Sequence, residues 1–428
     1  MKIKNVGIIG LGYVGGPLAY LTAYNGYNVV GIDNSNEAIL KINNRVNIPK
    51  QLKQYKFDKL NLLATKDYTK LKEMDIIIIC VPTPTANNKP DLTILNNVVK
   101  NMGEYIKKEA LIVLESTVAP GMTYKYVKNT LLYNNKLKIN KDYYLAYCPE
   151  RIDPGNIKYW VGNINRVCGG SSEIALKRAI NFYKTIIKAK IIPMQSIEEA
   201  ELVKVWENSI RNINIAQANL LAIICDRYNF SVKRISKGLN SKIEQFNLSL
   251  AYPGIGPGGH CIPEDIHYLI KISEDNIKVD MSLLQEAINI NENMPQYVFE
   301  KILKEIDNNK NNIEKMKILF LGISYKPNSN DIRRSQALVL YKKLKEVNNN
   351  IRIYDPLVKN KDINNLKKEE FEKYIVDADI VVLACAHDTF LDIDYTKYNN
   401  IKYILDCWNK LDKSKIISSG KKYIGVGE

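Results

Sequence analysis

The run Gly10-Leu11-Gly12-Tyr13-Val14-Gly15 constrains the fold of this 428-residue chain more than any other feature. It follows the apolar stretch Val6-Gly7-Ile8-Ile9 and opens a helical stretch. Asp33 ends the next apolar run, 18 residues after Gly15. Each piece has a physical task. Gly10 permits a tight turn, Gly12 lets a pyrophosphate approach the backbone, and Gly15 lets helix and strand pack closely. The helix N-terminus, with Tyr13 and Val14 leading into it, offers N–H groups and positive dipole to phosphates. Asp33 would accept hydrogen bonds from a ribose 2′-OH. That favours NAD over NADP, whose 2′-phosphate an aspartate repels. Strand, turn, helix and acid together imply a dinucleotide-binding unit.

The rest of the first 190 residues repeats the pattern. Strands are expected at Val6–Ile9, Val29–Ile32, Ile76–Val81, Leu111–Glu115 and Tyr144–Tyr147, with helices between them. Repeated βα units imply a parallel, doubly wound sheet. From Ser196 to Phe230 runs one long helical stretch without Gly or Pro. A Gly- and Pro-rich loop follows from Tyr252 to Pro263, and helical patterning resumes to Ile306. The polar segment Asp307–Asn312 reads as a linker. A second α/β pattern then has strands at Lys317–Leu321, Ile351–Tyr354, Ile380–Ala384 and Tyr403–Leu405. The expected architecture is α/β: two doubly wound Rossmann-like domains joined by a long central helix and a helical middle domain. The boundaries are 1–195, 196–306 and 313–428.

Composition narrows the function classes. Apolar residues make up 46% and charged residues 25%, as in soluble globular proteins. No apolar run reaches the about 18 residues that cross a bilayer. No signal-peptide pattern precedes the glycine turn, so a cytosolic setting and no membrane partner are expected. The formal net charge of +15 invites a nucleic-acid reading. The lysines, however, are spread along the chain among acids, and no arginine-rich arm or zinc finger occurs. Attraction for anionic small molecules is the milder inference. Seven cysteines without a CxxC, and three histidines, indicate neither a disulfide framework nor a metal site.

Three further stretches carry chemistry. In Pro253-Gly254-Ile255-Gly256-Pro257-Gly258-Gly259-His260-Cys261-Ile262-Pro263-Glu264-Asp265, glycines let the backbone close around a ligand. Pro263 suits a first helical turn. Cys261 then precedes a helix N-terminus, where the dipole favours thiolate, and Asp265 follows four residues on. That is the setting of an activated nucleophile or of a buried thiol beside a ligand loop. Lys204, Asn208 and Arg211 share one face of the long helix, either solvated or lining a cleft. Lys326, Arg333 and Arg334 follow the first strand of the second α/β unit, where either a phosphorylated ligand binds or a loop meets solvent.

Taken together these pieces resemble the nucleotide-sugar 6-dehydrogenases, the UDP-glucose/GDP-mannose dehydrogenase superfamily. The resemblance also rests on Val81-Pro82-Thr83-Pro84, Glu115-Ser116-Thr117-Val118-Ala119-Pro120-Gly121 and Pro149-Glu150-Arg151-Ile152-Asp153-Pro154-Gly155. It extends through Glu201–Asn208, Gly258–Asp265, Tyr325-Lys326-Pro327-Asn328 and Tyr354-Asp355-Pro356, nearly the whole chain. The Gly-Gly-His-Cys-Ile-Pro form with Pro-Glu-Arg-Ile is similar to the branch acting on UDP-N-acetylhexosamines.

The resemblance implies a four-electron oxidation of a sugar C6 alcohol to a carboxylate with two NAD⁺. UDP-N-acetylmannosamine is the favoured substrate, with UDP-N-acetylglucosamine or UDP-glucose as alternatives. A non-catalytic nucleotide-sugar binding protein is the reading from another class. Cys261 would be the nucleophile, Lys204 and Asn208 would polarise the C6 oxygen, and Asp265 would assist the thiol and water. Thr117 and Glu150 would position that water. Thr83, Thr117, Glu150 and Arg333 match the nicotinamide side, and Val81 and Pro82 belong to the cofactor site. Arg151, Arg211, Tyr252, Gly256, Gly258, Gly259, His260, Tyr325 and Lys326 match the substrate region. His267 and His387 are read as structural. The apolar-faced long helix suggests a homodimer or dimer-based oligomer. The chain departs from the family pattern at Arg334, where an acid is usual, at Trp408, where an arginine is usual, and in Glu264-Asp265-Ile266, which lacks a proline. The Glu-x-Gly pattern expected after Ile48-Pro49 is absent.

Overall fold

Short apolar runs bounded by turn residues build the strands of two sheets. The computed structural model describes residues 4–46, 48–52, 60–151, 160–242, 251–308, 312–359 and 363–428. Ile152–Gly155 of one quoted motif lies outside the described residues. The described chain forms two compact units, Met1–Glu207 with His267–Val279, and Asn208–Ile266 with Asp280–Glu428.

The first unit holds β1 (Asn5–Ile9), β2 (Asn28–Ile32), β3 (Leu62–Thr65) and β4 (Ile76–Ile79). A two-strand hairpin follows, β5 (Thr85–Ala86) with β6 (Lys89–Pro90). Then come β7 (Ala110–Leu114), β8 (Tyr143–Tyr147), β9 (Arg166–Gly170) and β10 (Ile191–Pro193). The main sheet has the order β10-β9-β8-β7-β4-β1-β2-β3. It is parallel except where β8 runs antiparallel to β9. The order reverses between β1 and β4, so a crevice opens outside their carboxyl ends. All four residues of β4 are fully buried, as continuous apolar runs in covered parallel sheets are.

The glycine turn sits at that reversal. Gly10 has φ +90°, open to glycine at little strain, and a Cβ there would stand 2.7 Å from the Cys80 carbonyl oxygen. A Cβ at Gly15 would stand 1.9 Å from the Gly10 oxygen, whereas one at Gly12 would meet nothing within 4 Å. Asp33 Oδ2 accepts from Leu11 N–H at 2.6 Å, and Oδ1 from Ser35 N–H at 2.8 Å.

Two buried carboxylates hold the loop beyond β7. Glu115 Oε1 lies 2.8 Å from Arg166 Nη1 and accepts from the Tyr183 hydroxyl at 2.5 Å, all three side chains inaccessible to solvent. The Arg166 guanidinium also lies over the Tyr183 ring at 5.2 Å. Glu201 accepts from the backbone N–H groups of Gly121 at 2.7 Å and Thr123 at 2.8 Å. Burial pushes the Glu201 carboxyl up to about 7, against the pull of those two donors.

The second unit carries β11 (Ile318–Leu321), β12 (Ile351–Tyr354), β13 (Ile380–Leu383), β14 (Tyr403–Asp406) and β15 (Lys422–Gly425). Their order is β12-β11-β13-β14-β15, all parallel. The Rossmann-like expectation is met in both sheets. The first two residues of the expected linker are helical, and residues 309–311 lie outside the described residues. Asp307 and Asn308 continue the Ser282–Asn308 helix, because Ile302 and Ile306 are fully buried and hold its last turns on the core. The long helix runs unbroken over Ile197–Tyr228, and the division between the units falls inside it. Among the described residues no helix is long and apolar enough to cross a membrane.

Two outcomes follow from this packing. Gly15→Ala should lower unfolding stability by about 3 kcal/mol in urea titration, because the opposing atom is backbone and cannot move aside. Gly12→Ala should change it by no more than about 0.5 kcal/mol. Glu201 binds its proton more tightly in the folded state than its ordinary value of 4.5. Its contribution is therefore full below pH about 4.5 and is lost as pH rises through about 7. Glu201→Gln should remove that slope, worth about 3 kcal/mol, seen as a smaller fall in stability from pH 5 to pH 8 than in the parent.

Candidate functional site

In the first unit the expected cofactor residues gather at the carboxyl ends of β1, β2, β4, β7 and β8. Tyr13 is 65% exposed and Val14 half-buried at the turn. The loops after β4 and β7 are tied together. The Thr83 hydroxyl donates to the Thr117 carbonyl at 2.7 Å, and the Ser116 hydroxyl to the Val81 carbonyl at 2.7 Å. The Tyr268 hydroxyl donates to the Thr83 carbonyl at 2.9 Å. Pro82 is exposed while Thr117 and Glu150 are half-buried. Arg151 is anchored by Glu207, with Nε 2.9 Å from Oε2, and by the Asn165 carbonyl at 3.2 Å. The open face over Gly12, the donors of the turn and the acid at Asp33 fit a dinucleotide. Asp33 already holds the turn, and each of its oxygens keeps a further lone pair for a ribose hydroxyl.

In the second unit the glycine loop leads into the Ile262–Ile272 helix, as Pro263 predicts. Cys261 stands at its N-terminus. Its carbonyl accepts from Asp265 N–H at 2.9 Å and Glu264 N–H at 3.3 Å, which places the thiol beside the positive end of the helix. Asp265 is buried and accepts from Asn208 Nδ2 at 2.6 Å. Asn212 Nδ2 donates to the Ile262 carbonyl at 3.1 Å. Asn291 donates to Asn212, and Asn219 donates to Asn291, each at 2.9 Å. Asn219 Oδ1 in turn accepts from Gly254 N–H at 2.9 Å. A Cβ at Gly256 would stand 2.4 Å from the Asn291 carbonyl oxygen. An amide ladder therefore holds both ends of the loop that bears Cys261.

The thiols differ in chemistry. Cys148, Cys168, Cys225, Cys385 and Cys407 are buried, while Cys80 and Cys261 are partly exposed. Burial pushes the Cys80 and Cys407 thiols well above their ordinary value and Cys385 up to about 12. Partial exposure and a helix N-terminus coincide at Cys261, the combination a thiolate nucleophile needs.

Beyond β11 the second unit repeats the device of the first. Gly322 has φ +78°, and Ile323 N–H donates to Asp355 Oδ2 at 2.9 Å. His387 is buried. Its Nδ1 accepts from Asn328 N–H at 2.8 Å, which leaves the proton on Nε2, 3.2 Å from Asp355 Oδ2 and 3.1 Å from Ser324 Oγ. This cluster shapes the loop that carries Tyr325 and Lys326. Lys326 Nζ lies 5.8 Å from the Tyr325 ring centroid. Gly258 and Gly259 pack on Tyr325, where Cβ atoms would approach within 2.6 and 2.9 Å.

The remaining expected residues divide. Lys204 and Asn208 are buried on the long helix, but Arg211 is exposed although it shares their face. Tyr252 is 81% exposed, with Lys410 Nζ 5.1 Å from its ring centroid. Arg333 is exposed and pairs with Asp331, Nε lying 3.0 Å from Oδ1. Trp408 donates its indole N–H to the Ala384 carbonyl at 2.8 Å. Sequence reading missed Asn212, Asn219, Asn291, Arg166 and the support given by Asp355. The asparagines did leave a signal, since 208, 212 and 219 recur at helical spacing.

Comparison with known proteins matches these parts in order. Residues 4–187 match the NAD binding domain of the UDP-glucose/GDP-mannose dehydrogenase family, 198–293 its central domain, and 319–413 its UDP binding domain. The UDP-N-acetyl-D-mannosamine dehydrogenase of Pyrococcus horikoshii is 32% identical over 98% of this chain and 96% of that protein. The UDP-N-acetyl-D-glucosamine 6-dehydrogenase of Salmonella typhi is 32% identical over 94% of each chain. The solved structure of the Pyrococcus horikoshii UDP-D-ManNAc dehydrogenase superposes with TM-score 0.89 at 31% identity, covering 99% of both chains. The chain belongs to the UDP-glucose/GDP-mannose dehydrogenase family.

Proposed function

We propose that this protein oxidises the C6 alcohol of a UDP-N-acetylhexosamine to the carboxylate, with UDP-N-acetyl-D-mannosamine as substrate. The observation that carries the reading is Cys261, partly exposed at a helix N-terminus with Asp265 one turn on in a hydrogen bond to Asn208. An alcohol dehydrogenase that stops at the aldehyde needs no such thiol. The names of the Pyrococcus and Salmonella relatives support a UDP-N-acetylhexosamine. The Salmonella relative keeps UDP-N-acetylglucosamine as the second reading.

In the proposed mechanism, bound NAD⁺ supplies the hydride acceptor, one for each of two oxidations. The backbone of Gly10–Gly15 and Asp33 would hold its pyrophosphate and ribose, and Thr83, Thr117 and Arg333 its nicotinamide side. Lys204 and Asn208 donate hydrogen bonds to the C6 oxygen and stabilise its developing negative charge. Once the C6 carbon is an aldehyde, the Cys261 thiolate adds to it, and the oxygen takes a proton to give a thiohemiacetal. The second oxidation leaves a thioester on Cys261. Water, positioned by Thr117, Glu150 and Asp265, cleaves the C–S bond and frees uronate and thiol. The covalent link keeps the aldehyde from escaping while spent cofactor leaves.

We assign segments 1–195, 196–306 and 313–428 to cofactor binding, the central helical part and UDP-sugar binding. We assign Lys326, Tyr325, Tyr252, the Gly256–His260 backbone, Arg151 and Arg211 to the nucleotide sugar. The macromolecular partner in this reading is another copy of this chain. Leu202, Trp206, Ile210, Leu220 and Ile224 form an apolar stripe on the long helix, each 44–47% exposed, which supports a homodimer. The setting is cytosolic.

NADH formation with a panel of UDP-sugars tests the reading. Two NADH per sugar consumed, with one N-acetylhexosamine preferred, is the expected result. One NADH per sugar would remove the covalent role of Cys261, and binding without NADH would favour a non-catalytic protein. Cys261→Ser should abolish uronate release by at least about 10³-fold while leaving NAD⁺ affinity unchanged in calorimetry.

A further inference from the structure

The helix that Cys261 begins has a second anchor besides the amide ladder. Glu264, in its first turn, is half-buried, and its Oε1 lies 3.0 Å from Arg334 Nε. Arg334 belongs to the loop beyond β11 and has a left-handed backbone, φ +46°. Non-glycine residues take up that region rarely. Its neighbour Arg333 is held to Asp331, and the Arg333 carbonyl accepts from Gly259 N–H at 2.9 Å. A Cβ at Gly258 would stand 2.8 Å from the Arg334 carbonyl oxygen. Gln336 Nε2 reaches the Pro257 carbonyl at 3.4 Å. The loop of Lys326 and the loop of Cys261 therefore run side by side. They are joined on one side by backbone and on the other by the Glu264–Arg334 ion pair.

We propose that Glu264 and Arg334 form a positioning pair that sets the first turn of the Cys261 helix, and with it Cys261 and Asp265, against the loop that carries Lys326. The proposal builds on Cys261 as the nucleophile. Glu264 lies three residues from the thiol and next to Asp265, so a tilt of that turn displaces both groups together. Arg334 has the geometry for this task, because a guanidinium fixes direction as well as charge. The pair is partly exposed, so its contribution to global stability is small. Its effect on reactivity is larger, because displacement of a reacting group by about 1 Å costs about 10²-fold in rate.

A double-mutant cycle tests this on the full-length protein, with Glu264→Gln, Arg334→Gln and the double variant. Each single variant should lower kcat about 10-fold with the KM for NAD⁺ unchanged. The double variant should be no worse than either single one. Losses that multiply to about 100-fold, or no loss in the single variants, would overturn the pairing. Iodoacetamide alkylation of Cys261, followed by mass spectrometry without substrate, gives a second cycle. The single variants should shift that rate at least about threefold and the double variant should match them, whereas equal rates in all four proteins would overturn the proposal. If the parent chain forms no NADH with any UDP-sugar, the dehydrogenase reading fails, and the alkylation cycle still decides the pair. A merely structural role would lower the melting temperature and leave the kinetics of the folded protein intact. Arg334→Lys, which keeps the charge without the planar fork, should recover part of the rate, and failure to exceed Arg334→Gln would count against directional positioning.

Discussion

Two aspartates at the ends of second strands, Asp33 after β2 and Asp355 after β12, hold the turns on which each unit's ligand edge depends. A loop at the end of a parallel sheet has lost its ladder partners, and its backbone donors need acceptors. Asp33 accepts from Leu11, and Asp355 from Ile323, Ser324, Leu357 and Val358. A carboxylate is well suited, because its two oxygens serve several donors and add negative charge opposite the donor-rich turn. Burial alone would push the Asp355 carboxyl up, yet His387 and the backbone donors hold it below its ordinary range. The positive φ values of Gly10 and Gly322 follow from the same arrangement.

The Cys261 loop is held differently. Its supports are neutral amides: Asn208, Asn212, Asn219 and Asn291 satisfy donors and acceptors around the buried carboxyl of Asp265. A chain of amides can accept at one end and donate at the other, so it links Gly254 to the first turn of the Ile262–Ile272 helix without further ions. Each amide is buried, so losing one would strand its partners.

Much of this was visible in the sequence because it rests on local rules. Gly10, Gly12, Gly15 and Asp33 announce the first crevice, and Pro263 announces the helix that Cys261 begins. What escaped depends on tertiary neighbours. β9 carries Arg166 and two glycines, so it lacks the apolar signature of a strand, although Glu115 and Tyr183 make its arginine a buried residue. β3 is an edge strand with an exposed Leu63, and β10 is three residues long and ends in a proline. Arg211 shares helical spacing with Lys204 and Asn208 but is exposed where they are buried, because spacing does not report what covers a face. Glu264 and Arg334 are remote in sequence, and nothing local signals their meeting.

The burial of the thiols gives the fold an internal gauge. Cys168 lies in β9 and Cys148 directly after β8, Cys385 and Cys407 lie just beyond β13 and β14, and Cys225 is in the long helix, all buried. A thiol reagent in native buffer meets them only when the surrounding segment opens. The slow appearance of each modified cysteine then records how often that part of the chain breathes, much as amide exchange does. Because the five are spread over the strand ends of both sheets and the long helix, a single labelling time course reads the opening of each region separately, against the faster signal of the partly exposed Cys261.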